Sequence, residues 1–517
     1  MRARSELQCD GVASNMQLTL LLEMGADSLP DRVAVTDTGG ALSLGEVAAR
    51  ARTAATVLRD GQGDKVVFLG QNGASLPVAL FSSSLVGKPF VPLNYRLTDE
   101  DLRKLLVRAA PCTAIVDDDM LERAAGVVGV DVIARSDFDK ACTEGTDEPV
   151  EPLSESDIAI LLFTSGTTGE PKVAVLRHHH LTSYVFSTVE FMSADESEAA
   201  MVAVPPYHIA GISAILTGLY SGRRIVYLPA FTPEAWVETA ANQKISHAMV
   251  VPTMLDRILD LMERNGHTLP HLKAISYGGG RMPQPVIERA IRLLPHVDFV
   301  NAYGLTETSS TIAVLGPEDH RLASGSSDPN VRRRLGSVGR PLPTLELEVR
   351  DPEGNVLPPN ESGEIYVRGD QVAGEYLHKK AIQEDGWFAT NDAGWIDDDG
   401  YLFVEGRLDD VIVRGGENIS PGEIEDVLRQ HPKVRDLAVF GVEDNQWGEK
   451  VACVVVPVDS APDIAELTAW VKTRLRSTKT PEAWAFWDEL PYNDMGKLLR
   501  RVVKQQFISA NPVAIAG

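Results

Sequence analysis

The sequence predicts an α/β protein: a large N-terminal domain of α/β layers carrying an antiparallel β meander or barrel, then a small C-terminal α+β domain. Three features of the chain predict it. Short strand patterns such as residues 65–69 alternate with helical patterns such as residues 44–58, the alternation of layered α/β folds. From about Leu345 the texture changes to short alternating strands with tight turns. Beyond Gly406-Arg407 a proline-started helix opens a further set of strands and helices.

Taken in chain order, residues 158–163 read as a buried strand that runs into a loop of hydroxyls and glycines. Strand-like pieces at 248–251, 274–277 and 299–300 each precede a Gly, Pro or polar turn, which gathers candidate ligand-contacting loops at strand ends. Helical patterns at 233–243 and 285–294 fall between them. The meander is punctuated by Asp351-Pro352-Glu353-Gly354-Asn355 and by Asp397-Asp398-Asp399-Gly400, with strands at 363–369 and 401–404. Ser420-Pro421-Gly422-Glu423 has capping-box spacing with proline at the first helical position, so it predicts a helix to about Gln430. Strands at 437–441 and 451–458, a helix at 464–476 and a polar loop Tyr492-Asn493-Asp494-Met495-Gly496-Lys497 complete the smaller domain, which starts near Leu408.

Composition narrows the function classes. The 517 residues are enough for about three domain-sized units, and 44% apolar with 24% charged residues is ordinary globular usage. No segment approaches the apolar length of a membrane span, and the patch at 18–22 is short and broken by Glu23, so neither a span nor a secretory signal is expected despite Arg2 and Arg4. The first ten or so residues read as a loose tail. A net charge of −24 and a pI near 4.9 argue against nucleic acid or an anionic membrane as a partner, because the long-range field repels polyanions. Cys9, Cys112, Cys142 and Cys453 are far apart and form no CxxC pair, which disfavours a metal or disulfide framework and suits the reducing cytoplasm. Monomer and homodimer both stay open.

The loop Thr164-Ser165-Gly166-Thr167-Thr168-Gly169-Glu170-Pro171-Lys172 carries the chemistry. Its glycines let backbone N–H groups converge on an anion, its hydroxyls add neutral donors, and Lys172 supplies charge, so a polyphosphate such as ATP is the first candidate ligand. The spacing is not Walker A, since the lysine follows Glu170-Pro171. Taken alone, the same residues also read as a polar turn after a core strand.

That loop, together with Asn301-Ala302-Tyr303-Gly304-Leu305-Thr306-Glu307-Thr308, Trp387-Phe388-Ala389-Thr390-Asn391-Asp392, Gly406-Arg407-Leu408-Asp409-Asp410 and Gly496-Lys497, resembles the adenylate-forming superfamily. That superfamily includes acyl-CoA synthetases, stand-alone adenylation domains and firefly luciferase. The five motifs stand in the family's order from about residue 30 to residue 504. The resemblance implies an enzyme that uses ATP and Mg2+ to turn a carboxylate into an acyl-AMP with release of pyrophosphate. It also implies a large domain over residues 1–407 and a mobile small domain over 408–517, which turns about a hinge near Asp409 so that a thiol can attack.

The resemblance also assigns roles. Thr164, Ser165, Gly166, Thr167, Thr168, Gly169 and Lys172 would hold the β- and γ-phosphates, and Glu307 beside Thr306 would bind the metal. A lone glutamate is usually a solvated surface residue, so this role rests on its motif. Tyr303 with Gly278, Gly279 and Gly280 would sandwich the adenine, Asn301 would read the purine edge, and Asp392 with Arg407 would hold the ribose. Lys497 would reach the carboxylate and α-phosphate oxygens. His208, within Pro205-Pro206-Tyr207-His208-Ile209-Ala210-Gly211, would gate the acyl pocket; an isolated histidine is more often structural. The triplet His178-His179-His180 resembles a metal tract at first sight, but its place after the phosphate loop marks a helix start and packing.

Gly415 and Gly416, in Arg414-Gly415-Gly416-Glu417-Asn418, would line the path of a pantetheine arm, and Arg96 and Trp447 match positions around coenzyme A in aryl-CoA ligases. Three departures stand out. Val173 and Asn391 replace glycines usual in the family, and Thr478 stands where many CoA-using relatives have an aromatic residue. No acidic residue follows His208 to hold an ammonium group, so the expected substrate is a plain fatty or aromatic acid and the expected acceptor coenzyme A. The alternatives are a ligase that loads a carrier protein or a small nucleophile, including nitrite-dependent diazotisation of an aryl amine, and a non-catalytic nucleotide-binding homologue.

Overall fold

The computed structural model describes residues 17–145, 156–164, 171–493 and 497–510. Two large sheets form the body. One has eight strands, with Lys172–Arg177, Ile158–Thr164, Phe90–Pro92, Val66–Leu69, Cys112–Val116 and Val130–Ala134 side by side and two short strands, Glu375–Tyr376 and Lys379–Lys380, at one edge. The other has nine, and its centre runs parallel from Asp298–Leu305 through Ala274–Gly278, His247–Val250, Ala199–Val202 and Arg224–Tyr227 to Val33–Asp37. A single apolar core joins them, uniting Phe68, Ile160 and Leu162 of the first sheet with Val35 and Ile225 of the second through helices between the layers.

The helix Ser75–Leu85 shows how the sequence builds that middle layer. It is apolar on all sides and buried along nearly its whole length, as a helix between two layers must be. Its serines stay satisfied because Ser82, Ser83 and Ser84 donate to the carbonyls of Ala79, Lys88 and Leu80. The neighbouring helix Leu44–Asp60 starts with a complete capping box, Glu46 N–H donating to Ser43 Oγ at 3.2 Å and Ser43 N–H to the Glu46 carboxylate at 2.7 Å.

The meander lies where the turn residues place it. Glu346–Arg350, Gly363–Arg368, Phe388–Ile396 and Leu402–Arg407 pair antiparallel in that order. The last sheet is built from residues past Leu408: Ile412–Arg414, Glu417–Ile419, Val434–Asp444, Gly448–Pro457 and Ala483–Phe486. Strand alternation splits its core in two, with Leu437 and Val439 facing the helices Pro421–Arg429 and Ile464–Lys472, and Ala438, Phe440 and Val442 facing the helix Arg500–Ala510.

Two local expectations fail. The capping box at Ser420 does not form, because Ser420 Oγ donates instead to the Glu405 carbonyl at 3.1 Å and Glu423 is drawn into an ion pair with Lys479. Tertiary partners outcompete the local ones. The strand expected at 299–300 runs on to Leu305, since the antiparallel strand Ser310–Leu315 pairs with its second half. Asn301 and Tyr303 therefore sit in a strand rather than in the turn after one. Gly304 permits that pairing, as a Cβ there would lie 1.8 Å from the Ser310 carbonyl oxygen.

The histidine triplet starts the helix His178–Thr188. His178 and His180 are buried, and each accepts at Nδ1 from a backbone N–H, of Leu18 at 3.1 Å and of Arg177 at 3.3 Å. Burial pushes their pKa values down from 6.5, to about 4 and about 3. The folded chain thus resists protons that the unfolded chain accepts from pH 6.5 downward, so stability falls between pH 6.5 and 4. One pKa unit corresponds to about 1.4 kcal/mol, so urea midpoints taken across that range are expected to drop steeply. His178→Asn, which keeps an acceptor near the Nδ1 position without titrating, is expected to flatten the drop. An unchanged slope would remove His178 from this account.

Among the described residues, no helix is long and apolar enough to cross a membrane. Cys112, Cys142 and Cys453 are buried free thiols.

Candidate active site

The site is assembled from strand ends of the body, the last two strands of the meander, and the start of the final helix. Thr164 and Lys172 face each other across the hairpin formed by Ile158–Thr164 and Lys172–Arg177. The loop they flank, with Ser165, Gly166, Thr167, Thr168 and Gly169, lies outside the described residues. Lys172 is exposed, and its ammonium stands 5.3 Å from the ring centroid of Tyr376. Val173 packs inward with an apolar cluster that includes Leu161 and Tyr207, while its carbonyl accepts from Leu377 N–H at 2.9 Å.

Tyr376 leads on to Glu307. Its hydroxyl donates to Glu307 Oε1 at 2.7 Å, and the Glu307 carbonyl takes the N–H groups of Ala373 and Gly374. The glutamate is therefore fixed at both backbone and side chain. It sits in the 3₁₀ turn Thr306–Thr308, where Thr306 is half-buried, and Ser309 and Ser310 follow at φ of 57° and 113°. Left-handed backbone at two successive non-glycine residues is strain of the kind that collects at functional sites. Nothing in the motifs marks Tyr376, which sits in a two-residue strand and was missed by sequence reasoning.

Asp392 lies opposite Arg407 in strand register. Its Oδ1 is 3.1 Å from Arg407 Nε, and its Oδ2 accepts from the Tyr303 hydroxyl at 2.5 Å. Arg407 is steadied by donating to the Thr390 carbonyl at 2.9 Å. Only 6% exposed, Asp392 has its pKa raised by burial, against the pull of Arg407 and Tyr303. Burial likewise holds the Tyr303 hydroxyl protonated, and the Asp392 charge beside it adds to that. Asn391 takes φ of 59°, so asparagine fills a glycine-like position by entering the left-handed region it tolerates. Its side chain donates to Asp409 Oδ2 at 3.3 Å.

Lys497 arrives at the same place from the other end of the chain. Arg407, Asp392, Asp410 and Arg500 act electrostatically on its ammonium, whose pKa is lowered first by burial among protein atoms and next by Arg407. By surface area the residue is nonetheless exposed. Arg500 fixes the approach, since it pairs with Glu425 and lies 3.6 Å from Asp410.

The three glycines end the strand Ala274–Gly278. A Cβ on Gly278 would lie 2.4 Å from the Ala302 carbonyl oxygen, and Gly279 has φ of 76°. A Cβ on Gly280 would lie 4.0 Å from the Pro252 ring. Asn301 is buried and spends an amide proton on the Ser337 carbonyl at 2.9 Å, a structural use that sequence reasoning did not foresee. His208 caps the helix Ile209–Ser221 half-buried, its ring 4.7 Å from that of Tyr207. A hydroxyl contact of 3.2 Å between Ser213 and Ser310 ties this helix to the turn after Glu307.

Gly415 and Gly416 fall elsewhere. They make the turn of a hairpin at φ of 58° and 84°, with Gly415 pressed against Trp447 so that a Cβ would meet its ring at 2.9 Å. Thr478 lies beside this hairpin, its carbonyl accepting from Arg414 at 2.7 Å.

Glu307 thus bonds Tyr376, whose ring lies under Lys172, while Asp392 bonds Tyr303 and Arg407 within electrostatic reach of Lys497. Fixed cations in a cleft suit a polyanion. No group of three His, Cys, Asp or Glu side chains among the described residues could cage a metal ion. The lone Glu307 carboxylate fits a hard cation that takes its other ligands from phosphate oxygens and water, as Mg2+ does.

Two α/β layers, a meander and a small C-terminal domain that meet around such a cleft define an ATP-handling ligase architecture. The chain belongs to the AMP-binding enzyme family: the AMP-binding enzyme domain matches residues 22–377, and the AMP-binding enzyme C-terminal domain matches residues 423–497. It is 33% identical to a feruloyl-CoA synthase of Amycolatopsis sp, over 92% of this chain and 96% of that one. It is 32% identical to a 2-succinylbenzoate–CoA ligase of Bacillus licheniformis, over 93% of this chain and 98% of that one. Among solved structures it is similar to o-succinylbenzoate CoA synthetase (MenE) from Bacillus subtilis. With the acyl-adenylate OSB-AMP bound, MenE superposes with a TM-score of 0.81 at 29% identity, over 94% of this chain and 97% of that one. With ATP and magnesium ion bound, the TM-score is 0.80 at 29% identity, over 94% and 99%.

Proposed function

We propose that this chain is an AMP-forming acid–thiol ligase. It activates a carboxylic acid as acyl-AMP with release of pyrophosphate and passes the acyl group to a thiol, coenzyme A first among acceptors. One observation carries the reading: the Asp392 carboxylate, held by Arg407 and Tyr303, lies within electrostatic reach of Lys497 from the far end of the chain. Relatives named for feruloyl and 2-succinylbenzoate substrates favour an aromatic acid. The buried free thiols suit a reducing cytoplasm.

In this reading each residue has a task. Lys172 and the hydroxyl-rich loop from Thr164 neutralise the leaving phosphates, and Asp392 accepts from the ribose hydroxyls while Arg407 orients it. Gly278, Gly279 and Gly280 give the adenine a flat backbone wall opposite Tyr303, with Asn301 at its edge. His208 borders the acyl entrance. Glu307, held by Tyr376 with Thr306 beside it, would carry Mg2+, which when bound supplies charge neutralisation at the phosphates. The attacking carboxylate oxygen and the α-phosphate are repelled by like charge, and Lys497 offsets that repulsion at the point where it peaks. Gly415 and Gly416 belong to the second step, after residues 408–517 have turned about Asp409.

A pyrophosphate-release assay with a panel of aryl and fatty acids tests this. Release is expected only when an acid is present, with loss of free thiol when coenzyme A is added. Carrier protein and nitrite with an aryl amine, offered in place of coenzyme A, separate the other acceptor readings. No release with any acid would sink the ligase reading.

A further inference from the structure

We infer that Arg281 and Asp426 form a positioning pair that holds the C-terminal unit with Lys497 facing Asp392, and so favours acyl-AMP formation over the thiol step. The inference rests on the ligase reading above and adds to it a device that sets the order of its two steps. Arg281 directly follows Gly278-Gly279-Gly280 on the body, and its guanidinium donates to Asp426 Oδ2 on the helix Pro421–Arg429. A second observation points the same way. A Cβ on Gly422 would lie 2.3 Å from Arg281 Nη1, so glycine there lets the guanidinium rest on the helix's first turn and a larger residue would make it shift.

The other acids of this helix are satisfied within their own unit, Glu423 by Lys479 and Glu425 by Arg500. Asp426 takes its partner from the body. Burial raises its pKa while Arg281 and Arg429 oppose that rise, so both cations favour the charged form. The helix also carries Lys497 with it, because Arg500 binds Glu425 on the helix and reaches Asp410 at the proposed hinge. Pinning the helix therefore pins the lysine. Ser420 adds a neutral contact across the same seam by donating to the Glu405 carbonyl.

Both paired side chains are 40% exposed, so the pair biases an equilibrium rather than locking it, by up to about fivefold. Arg281→Ala, Asp426→Asn and Gly422→Ala in the full chain are each expected to lower acid-dependent ATP–pyrophosphate exchange by about that factor. Thioester formation from synthetic acyl-AMP should hold or rise. Gly422→Ala leaves both charges in place and suits a helix, so its effect comes chiefly through displaced Arg281. Asp426→Asn does not touch the glycine loop, which separates positioning from any direct effect on the nucleotide. The charge swap R281D/D426R is expected to recover exchange relative to either single reversal.

Equal loss of both half-reactions, or a swap no better than the worse single reversal, would overturn the pair. Distances between spin labels on the body and on residues 421–429 give a readout free of turnover. The population at the present separation should shrink in Asp426→Asn, and an unchanged distribution counts against the inference. A wild-type chain inert toward every acid would strike the ligase reading alone and leave this measurement standing.

Discussion

Lys497→Ala is expected to abolish carboxylate-dependent ATP–pyrophosphate exchange while sparing thioester formation from synthetic acyl-AMP. The cause is electrostatic. Removing one preorganised charge from a reaction centre costs on the order of 10²–10³ in rate, because solvent must reorganise where a fixed donor stood. Here Lys497 does not stand alone, since Arg407 occupies the same cleft and lowers the lysine's pKa. The residual rate of the variant then measures what Arg407 supplies by itself. The thiol step, by contrast, is assigned to the Gly415-Gly416 hairpin, which packs against Trp447. A lysine needed in only one orientation of the small unit leaves the other orientation's chemistry intact. Should both half-reactions fall together, the two-orientation scheme fails.

The second large effect is expected at Asp392. Its carboxylate holds Tyr303 and Arg407 within electrostatic reach of Lys497, so Asp392→Asn keeps the shape of the side chain while removing the charge they share. Hydrogen bonds to a charged group contribute about 1.5–3 kcal/mol each, so the KM for ATP is expected to rise on the order of tenfold to a hundredfold. Loss of general packing would also weaken binding, and 2′-deoxy-ATP separates the two causes. Wild type should discriminate against it, because the missing hydroxyl leaves the carboxylate without one of its donors. The Asp392→Asn variant should discriminate less. Equal discrimination by both proteins would remove Asp392 from the ribose site, whatever the change in KM.

Much of the architecture was legible because it follows from local rules. The helical pattern at 44–58 forms the helix Leu44–Asp60, and proline at position 233 opens a helix there. Asp397 through Gly400 mark the turn that joins two meander strands, and the turn's carbonyl and side-chain bonds form as that composition implies. Asn391, where the family usually has glycine, tolerates left-handed backbone and takes φ of 59°. Where a distant partner competes, the local rule loses. Ser420 had the right neighbours for a capping box and still bonds Glu405, fifteen positions away. Asn301 and Tyr303 were placed after a strand and lie within one, because Ser310–Leu315 returns to pair with them.

The sequence by itself determined the kind of elements, their order, and the motif residues that mark the chain as an ATP-handling ligase. Periodicity, caps and turn residues act over a few positions and are written in consecutive letters. Only the tertiary structure decided that Tyr376 holds Glu307, that Asp392 is shared by Tyr303 and Arg407, and that Arg281 reaches Asp426. Those pairings join residues from fifteen to 145 positions apart, and which charge meets which is settled by the packing of sheets whose strands cross over in sequence. No local pattern encodes that choice.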